Sequence, residues 1–148
     1  IFLKLKKILP KNIKSFPIEK KEITEAILQK KGNLKKIINI VHYEIKKKMN
    51  FFLKKNKNKK FVVLDVPLLL ENKLNKKGDV LIFVESKKSD ILKKLIKRKN
   101  FNKKLFDKFK KIQFSSKFKK NKAHFIIKNN FKKNSVKEDI NRILKEIL

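Results

Sequence analysis

The stretch FVVLDVPLLLE at residues 61–71 constrains the fold more tightly than any other part of the chain. From Phe61 to Val66 only Asp65 is polar, and the run is too short for a free-standing helix. A nearly unbroken run of β-branched and aromatic side chains predicts a strand buried on both faces, the habit of a parallel sheet. Pro67 then ends the ladder, because it has no N–H to donate and fixes its own φ. Three leucines and Glu71 follow where the chain leaves the sheet. Ligands of open α/β sheets bind beyond the carboxyl ends of the strands, so a site is expected at this edge.

Two further short apolar runs, VLIFV at 80–84 and AHFII at 123–127, predict a second and a third strand. Helical spacing surrounds them. Residues 1–9 read as the end of a helix stopped by Pro10, and a short helix begins near Ile18 and stops near Gly32. A longer helix is predicted over 33–53, with Leu34, Ile37, Ile38, Val41, Ile45, Met49 and Phe52 on one stripe. Residues 86–100 form another, with Ile91, Leu92, Leu95 and Ile96 as its apolar face, and 103–114 a basic one. A polar segment follows through Asn121. Ser135, with Glu138 as capping-box partner, is expected to start a terminal helix. Strands alternating with helices give an α/β fold with a parallel sheet and right-handed crossovers. Three strands make a small sheet, and the chain opens at Ile1 within a helix and without Met, so further material is expected upstream.

Composition limits the function classes. At 148 residues and 41% hydrophobic, the chain can build one core domain, with at most a small appendage. Without cysteine it has no disulfide framework, thiolate zinc site or cysteine nucleophile. No apolar run is long enough to span a bilayer, and the expectation is a cytoplasmic protein without a membrane partner. The net charge of +31 would suit a polyanion. Yet arginine, the residue favoured for bidentate phosphate and guanine contacts, occurs only at Arg98 and Arg142. The lysines are spread along the whole chain among Asn, Ile and Phe, a mixture that A/T-rich codons would also produce. Nucleic acid is therefore not the expected partner; a basic nucleic-acid-binding module or a non-catalytic α/β module is the alternative. Oligomeric state is left open.

The order of the pieces resembles the dephospho-coenzyme A kinase family. VVLDVPLLLENKL at 62–74 is similar to that family's strand followed by PLLFE and a glycine–leucine pair. DVLIFVES at 79–86 is similar to its next strand, and LKKLIKR at 92–98 to a helix that ends in Arg. Gln113, Lys119 and AHFIIKN at 123–129 keep the spacing of the family's Gln, Lys and AD-x-VI-x-N elements. Upstream, IEKKEI at 18–23 and IVHYEI at 40–45 are similar to its Arg-Lys-Leu and His-Pro segments. The resemblance implies a P-loop nucleoside-monophosphate-type kinase with a helical substrate-binding region (1–60), a βαβ core (61–100), a lid-like segment (101–122) and a last strand and helix (123–148). It implies ATP and dephospho-coenzyme A as partners and Mg²⁺ as cofactor. The chain departs from the family in several places. With glycine only at Gly32 and Gly78, no GxxxxGK[ST] phosphate loop exists here, and the amino-terminal Asp motif is absent too. Both are expected upstream of Ile1, which makes the chain a fragment inactive by itself. Tyr43 stands where the family has Pro, His124 where it has Asp, and Phe109 where it often has Arg.

The resemblance nominates site residues that each also have a plainer reading. Asp65 could support Mg²⁺ through water, or cap a local turn. Glu71 could touch substrate or orient a basic residue, or simply favour a helix start. Arg98 could close over ATP phosphates and stabilise transition-state charge, or complement a helix C-terminus. Lys94 could assist it. His42 and Lys20 fall on the substrate side, with Pro67 and Leu68; a histidine on an apolar stripe is otherwise a hydrogen-bonded core residue. Gln113 and Lys119 would flank a lid and meet ATP, or lie on the surface. His124 is expected to be buried in a strand.

Overall fold

A computed structural model describes residues 1–148, apart from the side chains of Lys133 and Ser135. The chain divides into two compact units, Ile1–Leu68 and Leu69–Leu148.

The first unit is helical: α1 (Phe2–Ile8), α2 (Lys20–Gln29) and α3 (Asn33–Lys55). Pro10 stops α1 as expected, because its ring cannot continue the ladder, and Leu9 caps the end. At the start of α2, Glu22 reaches back to the Glu19 N–H (3.3 Å) and also accepts from the Lys14 and Ser15 N–H groups, which fixes the preceding loop. Burial alone would raise the Glu22 carboxyl; the Lys14, Ser15 and Glu19 N–H groups and the Ser15 hydroxyl together hold it below its ordinary value. Both α1 and α2 pack on α3. Leu5, Leu9, Ile13, Ala26, Ile27, Ile37 and Met49 are buried between them, whereas Phe52, at the end of the expected stripe, is exposed. Asn33 is 4% exposed and donates from Nδ2 to the Ala26 carbonyl (2.8 Å), pinning the two helices at their junction.

The segment at 61–66 corrects the strongest sequence expectation. It is not a strand. Among the described residues, 61–67 make no backbone hydrogen bond outside regular elements, and the segment belongs to none. Its exposure alternates: Val62, Leu64 and Val66 are half-buried, while Phe61 and Asp65 are exposed and Val63 is 88% exposed. Apolar composition supplies the propensity, but a strand exists only when a neighbour accepts its N–H and C=O groups.

The second unit holds β1 (Ile82–Glu85), α4 (Lys88–Ile96), α5 (Lys103–Ile112), α6 (Ser116–Lys122), β2 (Phe125–Lys128) and α7 (Lys133–Ile147). The two strands pair in parallel, Ile82 opposite Phe125 and Glu85 opposite Lys128, so the expected parallel sheet is present with two strands rather than three. Helix α7 packs on β2, burying Ile127 and Ile143. The expected cap at Ser135 lies outside the described residues; α7 begins ahead of it, with Lys132 in the capping position. The apolar face predicted for α4 is not core, because Ile91, Leu92 and Ile96 are all exposed. His124 is not buried either. It sits exposed just before β2, where its N–H donates to the Leu81 carbonyl (2.8 Å) and its Nδ1 accepts from the Leu81 N–H (2.8 Å), closing the entry to the sheet.

Candidate active site

The nominated residues fall into both units. In the first, Lys20 is the exposed opening residue of α2, and His42 is half-buried on α3. Asp65 is exposed in the irregular segment, so it does not stand at a strand's carboxyl end. Pro67 and Leu68 form the turn that follows, and Leu68 has φ 57, a left-handed conformation that costs a branched residue about 1–2 kcal/mol. Among the described residues no group of three or more acidic or histidine side chains could hold a metal ion.

Of the described ion pairs, the most covered lies in the second unit. PLLLENKL runs into a closed turn in which the Leu74 N–H donates to the Leu69 carbonyl (3.0 Å) and the Lys73 N–H to the Leu70 carbonyl (3.1 Å). This is the Schellman pattern, and it requires a left-handed residue at Lys73, which has φ 50. Leu74, which ends the turn, is buried. The turn projects Glu71 into a covered position, its side chain only 8% exposed.

Glu71 Oε1 lies 2.7 Å from Lys119 Nζ and accepts from the Phe114 N–H at 2.9 Å. Burial by itself pushes this carboxyl up, but the Lys119 ammonium, its own N–H and the Phe114 N–H together hold it below the usual carboxylate range. Glu71 is thus the shared acceptor of the Lys119 ammonium and the Phe114 N–H. Lys119 is no bare surface lysine. Its side chain is 24% exposed and paired. Gln113 caps the C-terminus of α5 and is exposed one residue before the anchored N–H.

Helix α6 forms where the sequence reads only as a polar segment through Asn121. One signal was available: Ser115 is its N-cap, accepting from the Phe118 N–H at 3.1 Å. The helix turns Phe118 onto Phe114, rings 4.7 Å apart, and brings Lys119 to Glu71. The Phe114 amide was likewise illegible as a site element, because backbone groups carry no sequence signature.

Arg98 follows the Lys97 cap of α4. Its N–H donates to the Leu95 carbonyl (3.0 Å), its carbonyl accepts from the Phe101 N–H (2.9 Å), and its side chain is exposed. Among the described residues no ion pair reaches Arg98, and none of the described contacts joins it to Glu71 or Lys119. Lys94 is occupied elsewhere, over the Phe131 ring at 4.4 Å. Within the second unit the nominated residues therefore form one built cluster, Glu71 with Lys119 and the Phe114 N–H, with Arg98 exposed apart from it.

Comparison with known proteins bears directly on this pattern. A family model described as dephospho-CoA kinase matches residues 7–135. The dephospho-CoA kinase of Fusobacterium nucleatum is 34% identical over 126 residues, covering 84% of this chain and 62% of the relative. That of Rickettsia conorii is 28% identical over 141 residues, covering 95% of this chain and 72% of the relative. The match takes in the PLLLENKL turn, Arg98, Gln113 and Lys119 alike, and by it the chain belongs to the dephospho-CoA kinase family.

Proposed function

We propose that this chain serves the ATP-dependent phosphorylation of the ribose 3′-hydroxyl of dephospho-coenzyme A, the final step of coenzyme A biosynthesis. The family match over residues 7–135 carries this reading. In the reaction the 3′-oxygen attacks the γ-phosphorus, the bond to the bridging oxygen breaks and ADP leaves. Negative charge spreads over the transferring phosphoryl group, so the protein acts chiefly by positioning and electrostatics.

Within that scheme residues 1–60 form the substrate side, with Lys20 and His42 as contacts and Pro67, Leu68 and Glu71 shaping the turn beyond. Residues 101–122 act as the lid-like segment. Arg98, a planar cation without an internal partner among the described residues, stabilises phosphoryl charge, and Lys119 and Gln113 contact the nucleotide. Mg²⁺ fits as a companion of the ATP phosphates rather than a resident ion. The cation binds through one or two carboxylates and retains water, and Asp65 offers one exposed carboxylate.

These 148 residues contain no GxxxxGK[ST] cradle, so alone they are expected to turn over no ATP. The test is a coupled spectrophotometric assay on this chain and on a chimera that adds the part of the Fusobacterium relative lying outside the match. ADP release by the chimera only when dephospho-coenzyme A is present supports the proposal. Release that ignores dephospho-coenzyme A overturns it.

A further inference from the structure

One oxygen in the second unit holds two elements at once. Glu71 Oε1 meets both the Lys119 ammonium and the Phe114 N–H, at 2.7 and 2.9 Å. A charged carboxylate whose side chain is 8% exposed must be paired to persist, and its described donors (the Lys119 ammonium, the Phe114 N–H and its own N–H) all come from the protein itself. Lys119 differs. At 24% exposure it keeps contact with solvent, and an ammonium has three donors, of which one is directed at Glu71.

We propose that Glu71 is a positioning residue: its single oxygen clamps Lys119 and the α5–α6 turn together, leaving the other Lys119 donors for the phosphoryl oxygens of a bound nucleotide. The proposal rests on the nucleotide-contact reading of Lys119 above and chooses, of the two functional readings of Glu71, support over substrate contact. It makes a prediction of unusual sign. Deleting a carboxylate near an anion site should raise anion affinity if charge alone mattered. If Glu71 positions the cation, deleting it should lower affinity.

The experiment measures Mg·ATP binding by titration calorimetry, at fixed salt, to the full 148-residue chain, together with hydrogen exchange at the Phe114 amide. Lys119→Met should weaken ATP binding about tenfold, the scale of one charge-assisted bond. Lys117→Met removes the same charge from an exposed position on the same helix and should stay within about twofold. Glu71→Ala should weaken ATP binding about fivefold and speed Phe114 exchange, since both the ion pair and the N–H acceptor are lost. Glu71→Gln retains an oxygen for the Phe114 N–H, so it should keep that amide protected while weakening ATP binding about threefold. ATP affinity unchanged or raised in both Glu71 variants overturns the proposal, as does a Lys119→Met chain that binds like wild type. A wild-type chain that binds no ATP overturns the nucleotide-contact reading of Lys119, while the family reaction, which the chimera tests, is untouched. The two failures are distinct, because in the first the parent chain binds ATP normally.

Discussion

Two apolar segments of nearly the same character meet different fates. IFVE at 82–85 is strand β1, while FVVLDV at 61–66, the longer and more β-branched of the two, forms no ladder. The difference is the neighbour. β1 lies beside β2 in parallel register, and the pair is closed at one end by His124 on Leu81 and at the other by the Asn129 N–H on the Glu85 carbonyl (2.7 Å). The 61–66 segment has no such partner among the described residues, and its side chains settle into alternating exposure. Strand propensity is thus a permission that hydrogen-bond partners convert into structure.

Four sets of variants test this contrast. The largest effect is expected at Ile127, 8% exposed opposite Val84: Ile127→Ala should cost about 2–4 kcal/mol in urea denaturation. Val63→Ala, at 88% exposure in the unpaired segment, should change stability by less than about 0.5 kcal/mol. Equal losses at the two positions would mean that the 61–66 segment packs as tightly as β2.

The next expected effect is a pH dependence around Glu71. Its carboxyl is held below the ordinary value, so its contribution is fully present above about pH 4.3 and is lost as pH falls further, through the lowered folded-state value. A urea midpoint that falls more steeply below that pH in wild type than in Glu71→Gln is the expected result. Parallel curves would remove the anchor from the stability of the second unit.

At the mouth of the sheet, His124→Phe leaves the Leu81 N–H without its acceptor and should cost about 1 kcal/mol, read again from the urea midpoint. A gain is expected at the turn before the sheet. Lys73→Gly relieves the left-handed residue in the Schellman turn and should stabilise by about 0.5–1 kcal/mol. No gain there would mean that Lys73 makes a compensating contact in solution.

Much of the architecture was legible in advance. The bounds of α1, α2 and α3 follow from Pro10, from the spacing of Ile23, Ala26 and Ile27, and from the long stripe beginning at Leu34. The two paired strands were placed within a residue or two. Errors arose where packing decides: the predicted inner face of α4 is exposed, because helical periodicity names an apolar face and does not say what covers it. In the site, residue types pointed to Glu71 and Lys119 separately, 48 positions apart in numbering. Their pairing was invisible, since it depends on a turn at Lys73 and a helix at Ser116–Lys122 that local signals marked only faintly.

Local sequence signals carry the α/β alternation, the family and the identities of the cations and carboxylates available to it. Those follow from periodicity, turn chemistry and the order of short motifs, all of which are local. The tertiary structure decided which apolar run becomes a strand and which lysine acquires a carboxylate. The physical reason is the same in both cases: a hydrogen-bond donor or a buried charge is stabilised by its partner, and the partner lies far away along the chain.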